Sequence, residues 1–347
     1  MEALAVRGAE RRRRTSSARR RRRLSALVLF AATAGGLGVS LSLKIRAQLD
    51  AVQRVDGLAG ALTPLGAGPV ENFLLVGSDS RAGADPNDPD FGGIGTDEGT
   101  GGQRSDTIMV MRLDRASSTA SLLSLPRDLW VEIPALGQRN RINAAFSEGP
   151  DALVATVQQS LGIPLHHYLE VDFQGFKRLV DAIGGVDICF LYAAKDDHTG
   201  LLIDEPGCRK LGGVAALQYA RSRYYEEFRD GEWRVDGTAD IGRMARQQGF
   251  IDTAVHQAAT ATVGNPFRVG GVLDAIVSSL RIDPSLDLPE VAGRLRSAAG
   301  AGLTTFALPV APDEINGKSV LVMRSESALP LIAYFQGTGP VPAATPS

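Results

Sequence analysis

The chain has 347 residues, 44% hydrophobic and 22% charged, which is enough apolar material for one large core and excludes a mostly disordered protein. The formal charge of -2 conceals an asymmetry: ten arginines crowd into residues 1–23 against two acids, leaving 27 basic and 37 acidic residues, a balance of -10, for 24–347. So acidic a bulk excludes a broad nucleic-acid surface outside the tail, and no nucleic acid is expected as a partner.

Residues 24–43, LSALVLFAATAGGLGVSLSL, carry neither charge nor proline. At about 1.5 Å per residue such a run just spans a hydrocarbon layer of roughly 30 Å. The arginines before it and only Lys44 and Arg46 just after it predict a cytoplasmic tail over 1–23, an anchor over 24–43 and an exported remainder. A cleaved signal peptide is the competing reading. A stalk is expected over 44–70, ending in a stretch rich in glycine and proline.

A globular domain is expected over 71–310. The apolar runs NFLLVG at 72–77, DTIMVMRL at 106–113 and TASLLSL at 119–125 read as strands buried on both faces. Between the first two, residues 82–103 are rich in Gly, Asp and Pro and read as a long surface loop, a length common in functional loops. Helical spacing at 151–161 and 173–183 alternates with short β-like segments near Leu169 and Val186, so the core is α/β with a mainly internal sheet. A long helix is expected over 238–262, with Thr238 or Asp240 near its cap, then weaker helices over 272–280 and 288–299 and a strand over 304–308. Residues 311–347 are read as an extension whose tail, from Gly337, is disordered.

The two cysteines, Cys189 and Cys208, both fall on the outer side. They suit a disulfide in an oxidising compartment, or two reduced core thiols. Too few soft ligands stand near them for zinc.

No phosphate-binding G-x-x-x-x-G-K-[ST] loop, H-E-x-x-H or G-x-S-x-G is present. None of the four histidines is paired at metal spacing, and His166 and His167 read as structural residues beside a strand. What stands out is Arg and Asp where strands meet loops. Asp79 and Arg81 follow the first strand, Arg104 and Asp106 open the second, and Arg127 follows the third. In YARSR at 219–223, an extended backbone would point Arg221 and Arg223 to one side. On the next helix Asp240, Arg243 and Gln247 share a narrow face, beside an apolar face of Ile241, Met244, Ile251 and Val255. Singly these are ordinary surface salt bridges and turn formers. Together, arginine forks that match phosphate oxygens and carboxylates that suit a hard cation describe an anion site holding a metal.

The ordered series NFLLVGSDSR, RSDTIMV, SLPRD, RINAAF, FKRLVDAIGGVDI, LQYARSR and DIGRMARQQGFI resembles the LytR-CpsA-Psr family of cell-wall glycopolymer ligases over about residues 71–308. The resemblance implies a single three-layer α/β/α domain with a mixed central sheet, preceded by one transmembrane helix, and a hydrophobic pocket for a polyprenyl tail. It implies Mg²⁺, with Mn²⁺ as a substitute, on Asp79 and Asp106, and catalytic roles for those two with Arg104 and Arg127. Arg81, Arg221, Arg223, Arg243 and Gln247 would grip the pyrophosphate, with Asp240 and Arg246 in support. The expected activity is transfer of a phosphoglycan from a polyprenyl pyrophosphate carrier to a peptidoglycan hydroxyl, by a single-pass membrane protein with its catalytic domain outside the cell. The alternatives are a polyprenyl pyrophosphate hydrolase and a membrane-anchored regulatory or binding protein. Residues 224–237 form a longer segment here than in many members.

Overall fold

The computed structural model describes residues 45–80, 105–264, 268–300 and 302–342, including the backbone but not the side chain of Asp106. The arginine tail, the apolar run 24–43, the loop 82–103, Arg81 and Arg104 lie outside the described residues. Among the described residues no helix is long and apolar enough to cross a membrane.

The runs read as buried strands form the centre of a seven-stranded mixed sheet. Its strands are β1 (Gln53–Arg54), β2 (Val70–Ser78), β3 (Ser105–Asp114), β4 (Thr119–Leu125), β5 (His167–Val171), β6 (Leu280–Ile282) and β7 (Leu303–Ala307), in spatial order β1-β6-β5-β2-β3-β4-β7. β2 pairs parallel with β5 and antiparallel with β3, while β4 pairs antiparallel with β3 and parallel with β7. Period-two alternation sends Leu74, Val76, Ile108 and Val110 to one face, and Phe73, Met109 and Met111 to the other. Helices cover both faces, which is why these strands are apolar throughout rather than alternating.

The first face packs against α1 (Pro150–Leu161) and the second against residues of α6 (Leu288–Ala299). Between them in sequence come α2 (Phe173–Ile183), α3 (Gly213–Arg221), α4 (Ala239–Gly264) and α5 (Arg268–Ser279). α2 starts where the Asp172 carboxylate accepts a hydrogen bond from the Gly175 N–H at 2.6 Å, and it stops at Gly184, whose φ of 89° favours glycine. α2, α3 and α4 enclose a third apolar core with a small antiparallel sheet of Leu201–Ile203, Ala194–Asp196, Glu226–Arg229 and Glu232–Val235.

The packed core reaches past the bounds of 71 and 310 expected from sequence. Val55 and Leu58 are buried ahead of it. Behind it, a hairpin of Val310–Ile315 and Lys318–Met323 leads into α7 (Ser325–Gln336), whose Leu331, Ile332, Tyr334 and Phe335 join the first core. Polar groups seal that junction: Asn72 donates to the Phe335 carbonyl at 2.8 Å, and the Arg112 guanidinium lies 4.2 Å from the centre of the Tyr334 ring. Only residues 343–347 of the tail lie outside the described part.

Cys189 and Cys208 face each other across the antiparallel pair of Val186–Phe190 and Gly207–Leu211 and are joined in a disulfide. A bridge separating its cysteines by 19 residues stabilises a fold by about 3 kcal/mol. Reductant is therefore expected to lower the melting temperature by about 5–10 °C, and to leave a Cys189→Ala/Cys208→Ala variant unmoved. Equal melting curves for the native chain with and without reductant would refute the contribution.

Candidate functional site

Backbone register collects the acidic residues at one edge of the sheet. Gly77 of β2 lies opposite Thr107, but Ser78 lies opposite Ser105, so Asp106 is the extra residue of a β-bulge. A Cβ on Gly77 would stand 3.0 Å from the Thr107 Cβ, so a larger residue at the bulge would have to push Thr107 aside. Asp79 follows Ser78 directly. β4 ends opposite Ile108, which brings Arg127 out at the same edge, and β5 ends opposite Gly77, which brings Asp172 and Phe173 there too. The hydroxyls of Ser78 and Ser105 are buried at this bulge, and among the described residues neither has a hydrogen-bond partner. Buried polar groups left in that state have room to accept a water, an ion or a ligand atom.

The arginines arrive from the helical side. The YARSR stretch is not extended: α3 runs through Arg221 because Ala215, Ala216, Leu217 and Gln218 are strong helix formers, and the chain leaves the helix at Ser222. Arg221 stacks over the Phe173 ring at 4.5 Å. The next turn is organised by Asp196, which is fully buried and accepts from the Ser222 hydroxyl at 2.6 Å, the Arg223 N–H at 3.0 Å and the Tyr224 N–H at 2.9 Å. Burial alone would raise the Asp196 carboxyl, but the Ser222 hydroxyl and the N–H groups of Tyr224, His198 and Thr199 outweigh it and hold the group below the usual carboxylate range. A permanent anion thus fixes the backbone that presents Arg223.

α4 supplies Arg243 and Gln247, one turn apart and both buried. Asp240 Oδ1 lies 2.9 Å from Arg243 Nη2 and 3.4 Å from Arg223 Nε, so one carboxylate oxygen ties the two guanidinium groups together. Gln247 donates to the Ala220 carbonyl at 2.9 Å and ties α4 to the end of α3. Arg246 donates to the Ser222 carbonyl at 2.6 Å and pairs with Asp236 at 3.0 Å. A Cβ on Gly242 would stand 2.5 Å from Asp236 Oδ2, so the glycine of DIGRMARQ leaves room for that pair.

Arg221, Arg243 and Gln247 line one cavity of about 290 Å³. Its remaining wall is mostly apolar, with Leu75, Met109 and Leu169 from the sheet and Phe176, Leu217 and Phe250 from the helices. Gly77 and Ser78, at the bulge, also line it. Glu170 reaches the cavity too, with its charge met by Arg281 at 2.8 Å. A cavity greasy along its walls and cationic at one part suits an amphiphilic anion.

The structure therefore ties Arg223 and Arg243 together through Asp240, anchors Gln247 and Arg246 to the carbonyls at either side of Arg221, and sets Asp79, Asp106 and Arg127 at the sheet edge where the bulge meets the cavity. The Arg127 side chain pairs there with Asp128, at 3.5 Å, and Asp128 also meets Arg141 at 3.4 Å. Ile241, expected on an apolar packing face, is 55% exposed, because that side of α4 lies along an open groove. Sequence reasoning missed Asp196 and Asp236; no local pattern links Asp196 to arginines nearly thirty residues away. Among the described residues no group of three or more His, Cys, Asp or Glu side chains is placed to hold a metal ion. The oxygens at the bulge, two buried hydroxyls beside the Asp79 and Asp106 positions, are nonetheless the hard donors that suit Mg²⁺.

The chain is 35% identical over 283 residues to the probable cell wall biosynthesis protein LcpB of Corynebacterium glutamicum, covering 80% of this chain but 64% of that protein's length. It is 32% identical over 248 residues to the polyisoprenyl-teichoic acid–peptidoglycan teichoic acid transferase TagU of Halalkalibacterium halodurans, covering 71% of this chain and 77% of that one. In fold it matches a LytR-Csp2A-Psr enzyme from Actinomyces oris with a TM-score of 0.62 at 24% identity, over 82% of this chain and 96% of that one. TagT bound to LI-WTA matches with a TM-score of 0.60 at 20% identity, over 83% and 98%. The family profile matches residues 44–332, and the chain belongs to the LytR_cpsA_psr family.

Proposed function

We propose that this chain transfers a phosphoglycan from a polyprenyl pyrophosphate carrier to a sugar hydroxyl of peptidoglycan. The observation that carries this reading is the apolar cavity with Arg221, Arg243 and Gln247 in its wall, which matches a hydrocarbon tail joined to a doubly phosphorylated headgroup. The cell-wall names of the relatives agree with it, TagU most directly.

In this reading the cavity holds the start of the tail. Arg221, Arg223 and Arg243 spread their forks over the phosphate oxygens, positioned by Phe173, Asp196 and Asp240 respectively. Phosphoryl transfer needs the groups held in line and the charge on the phosphate oxygens neutralised, which fixed guanidinium groups accomplish without a covalent intermediate. The acceptor hydroxyl oxygen bonds to the sugar-proximal phosphorus and gives up its proton to water, the bond from that phosphorus to the bridging oxygen breaks, and polyprenyl phosphate departs. Asp79 and Asp106 would hold Mg²⁺, or Mn²⁺ in its place, which when bound supplies charge neutralisation at the pyrophosphate. The apolar run 24–43, with arginines before it, supports a single-pass anchor with the catalytic domain outside the cell.

The test incubates the full-length protein with carrier-linked glycan and Mg²⁺, with and without peptidoglycan, and follows polyprenyl phosphate release and glycan on the wall. Release that depends on peptidoglycan is expected, and Asp106→Ala should abolish it with the melting temperature retained. Release at one rate regardless of acceptor would make the protein a hydrolase, and full activity in the Asp106 variant would remove the metal from the scheme.

A further inference from the structure

A second concavity, about 1040 Å³, runs along the other side of α4. The cavity takes Arg243, Gln247 and Phe250 from the helix, whereas the groove takes Ile241, Ala245 and Gln248. At 3.6 residues per turn these sets lie roughly half a turn apart, so α4 is the partition between them. Two parts of its wall are tied to the arginine-bearing segments. Arg246, in its wall, holds the Ser222 carbonyl between Arg221 and Arg223. Residues 305–310 form another wall, where Ala307 pairs with Ser124, three residues before Arg127.

The third wall is the face of the 226–235 hairpin that carries Glu227, Arg229 and Arg234. Arg229 is held over the Tyr192 ring at 4.5 Å. Exposed apolar groups stand beside these charges: Leu191 is 83% exposed, Val235 62% and Ile241 55%. Sugar rings offer apolar C–H faces alternating with hydroxyl edges, and a groove with both aliphatic patches and guanidinium forks meets both. Arg229 pairs with Glu227 and Arg234 with Glu232 at 2.9 Å, yet both side chains stay about half exposed and keep donors open to carboxylates borne along such a polymer.

We propose that this groove is the binding site for the acceptor, a peptidoglycan glycan strand with its carboxylate-bearing peptides. The inference rests on the transferase reading given above and adds the acceptor's location to it. In-line displacement requires the attacking oxygen to come from the side opposite the leaving group. With the leaving phosphate tied to a tail in the cavity, the groove lies across α4 on the far side, the direction an in-line attacker would take.

Soluble peptidoglycan fragments of several disaccharides are titrated calorimetrically into the full-length protein in detergent, without carrier lipid. Binding is expected for the native chain. Arg229→Ala/Arg234→Ala and Ile241→Asp should each weaken it about tenfold, as truncation at a central contact does. These side chains are exposed at the surface, so the melting temperature should hold, and Leu329→Ser, on the 60%-exposed position of α7, is the control. In the transfer assay the same variants should raise the KM for peptidoglycan and leave the KM for the carrier alone. No binding by the native chain, unchanged affinity in the variants, or a rise in the carrier KM instead would each overturn the groove assignment. An active transferase with unaffected groove variants would leave the proposed function standing; acceptor binding without transfer would overturn the function and keep the site.

Discussion

Arg243→Ala is expected to reduce kcat/KM for transfer by about 10²–10³-fold, the size seen when a preorganised donor to a developing oxyanion is removed. The residue is 2% exposed and its fork is fixed by Asp240, so no reorganisation is needed when charge develops on the phosphate oxygens. Arg243→Lys should recover little, because an ammonium cannot bridge Asp240 and a phosphate through a planar fork. Steady-state kinetics on both variants, with thermal melts to confirm folding, provides the check. Wild-type kcat/KM in folded Arg243→Ala would detach α4 from the chemistry.

The second large effect lies at the opposite edge of the sheet. His167, at the start of β5, sits between two buried carboxylates, 3.1 Å from Glu71 and 3.1 Å from Asp283, and stacks on Phe73. Burial opposes its charge, yet the hydrogen bonds and the charges of Asp283 and Glu71 prevail and raise it to about 9. His166 beside it is pushed the other way by burial, and it accepts the Asn72 N–H as a neutral ring. His167→Gln leaves two buried anions without the cation between them and should cost about 3–5 kcal/mol, or roughly 10 °C in melting temperature.

The pH dependence follows from the raised His167. Its stabilisation is fully present below the ordinary value of 6.5 and is lost as pH climbs through about 9. Glu71 and Asp283 are both lowered, so their share is present above the ordinary carboxylate range and disappears in acid. Melting temperature should therefore decline on the alkaline side for the native chain, and His167→Gln should flatten that decline. A native curve level from pH 6 to pH 10 would contradict the charged His167.

The strands of the central sheet were legible because burial on both faces leaves an unbroken apolar run, as in NFLLVG and TASLLSL. The residue types of the proposed phosphate grip stood out too, because arginine beside aspartate recurs at the ends of several strands. Their conformation did not: YARSR reads as either strand or helix until the helix formers before it are weighed. Phe173 and Phe250 look the same in sequence whether they fill a core or border a cavity. Two hairpin signals were present and passed over. Asp230-Gly231 and Asn316-Gly317, all with positive φ, turn the 226–235 and 310–323 hairpins. Their flanks are charged or weakly alternating, so the turn was the only clear mark.

The disulfide closes a ring of chain from residue 189 to residue 208, and Asp196 lies inside that ring. The carboxylate that seats Arg223 is thus carried on a segment whose wandering is curtailed once the thiols are oxidised. The proposed phosphate site is thereby coupled to the oxidation state of that pair: a copy kept reduced would carry the same side chains on a slacker frame.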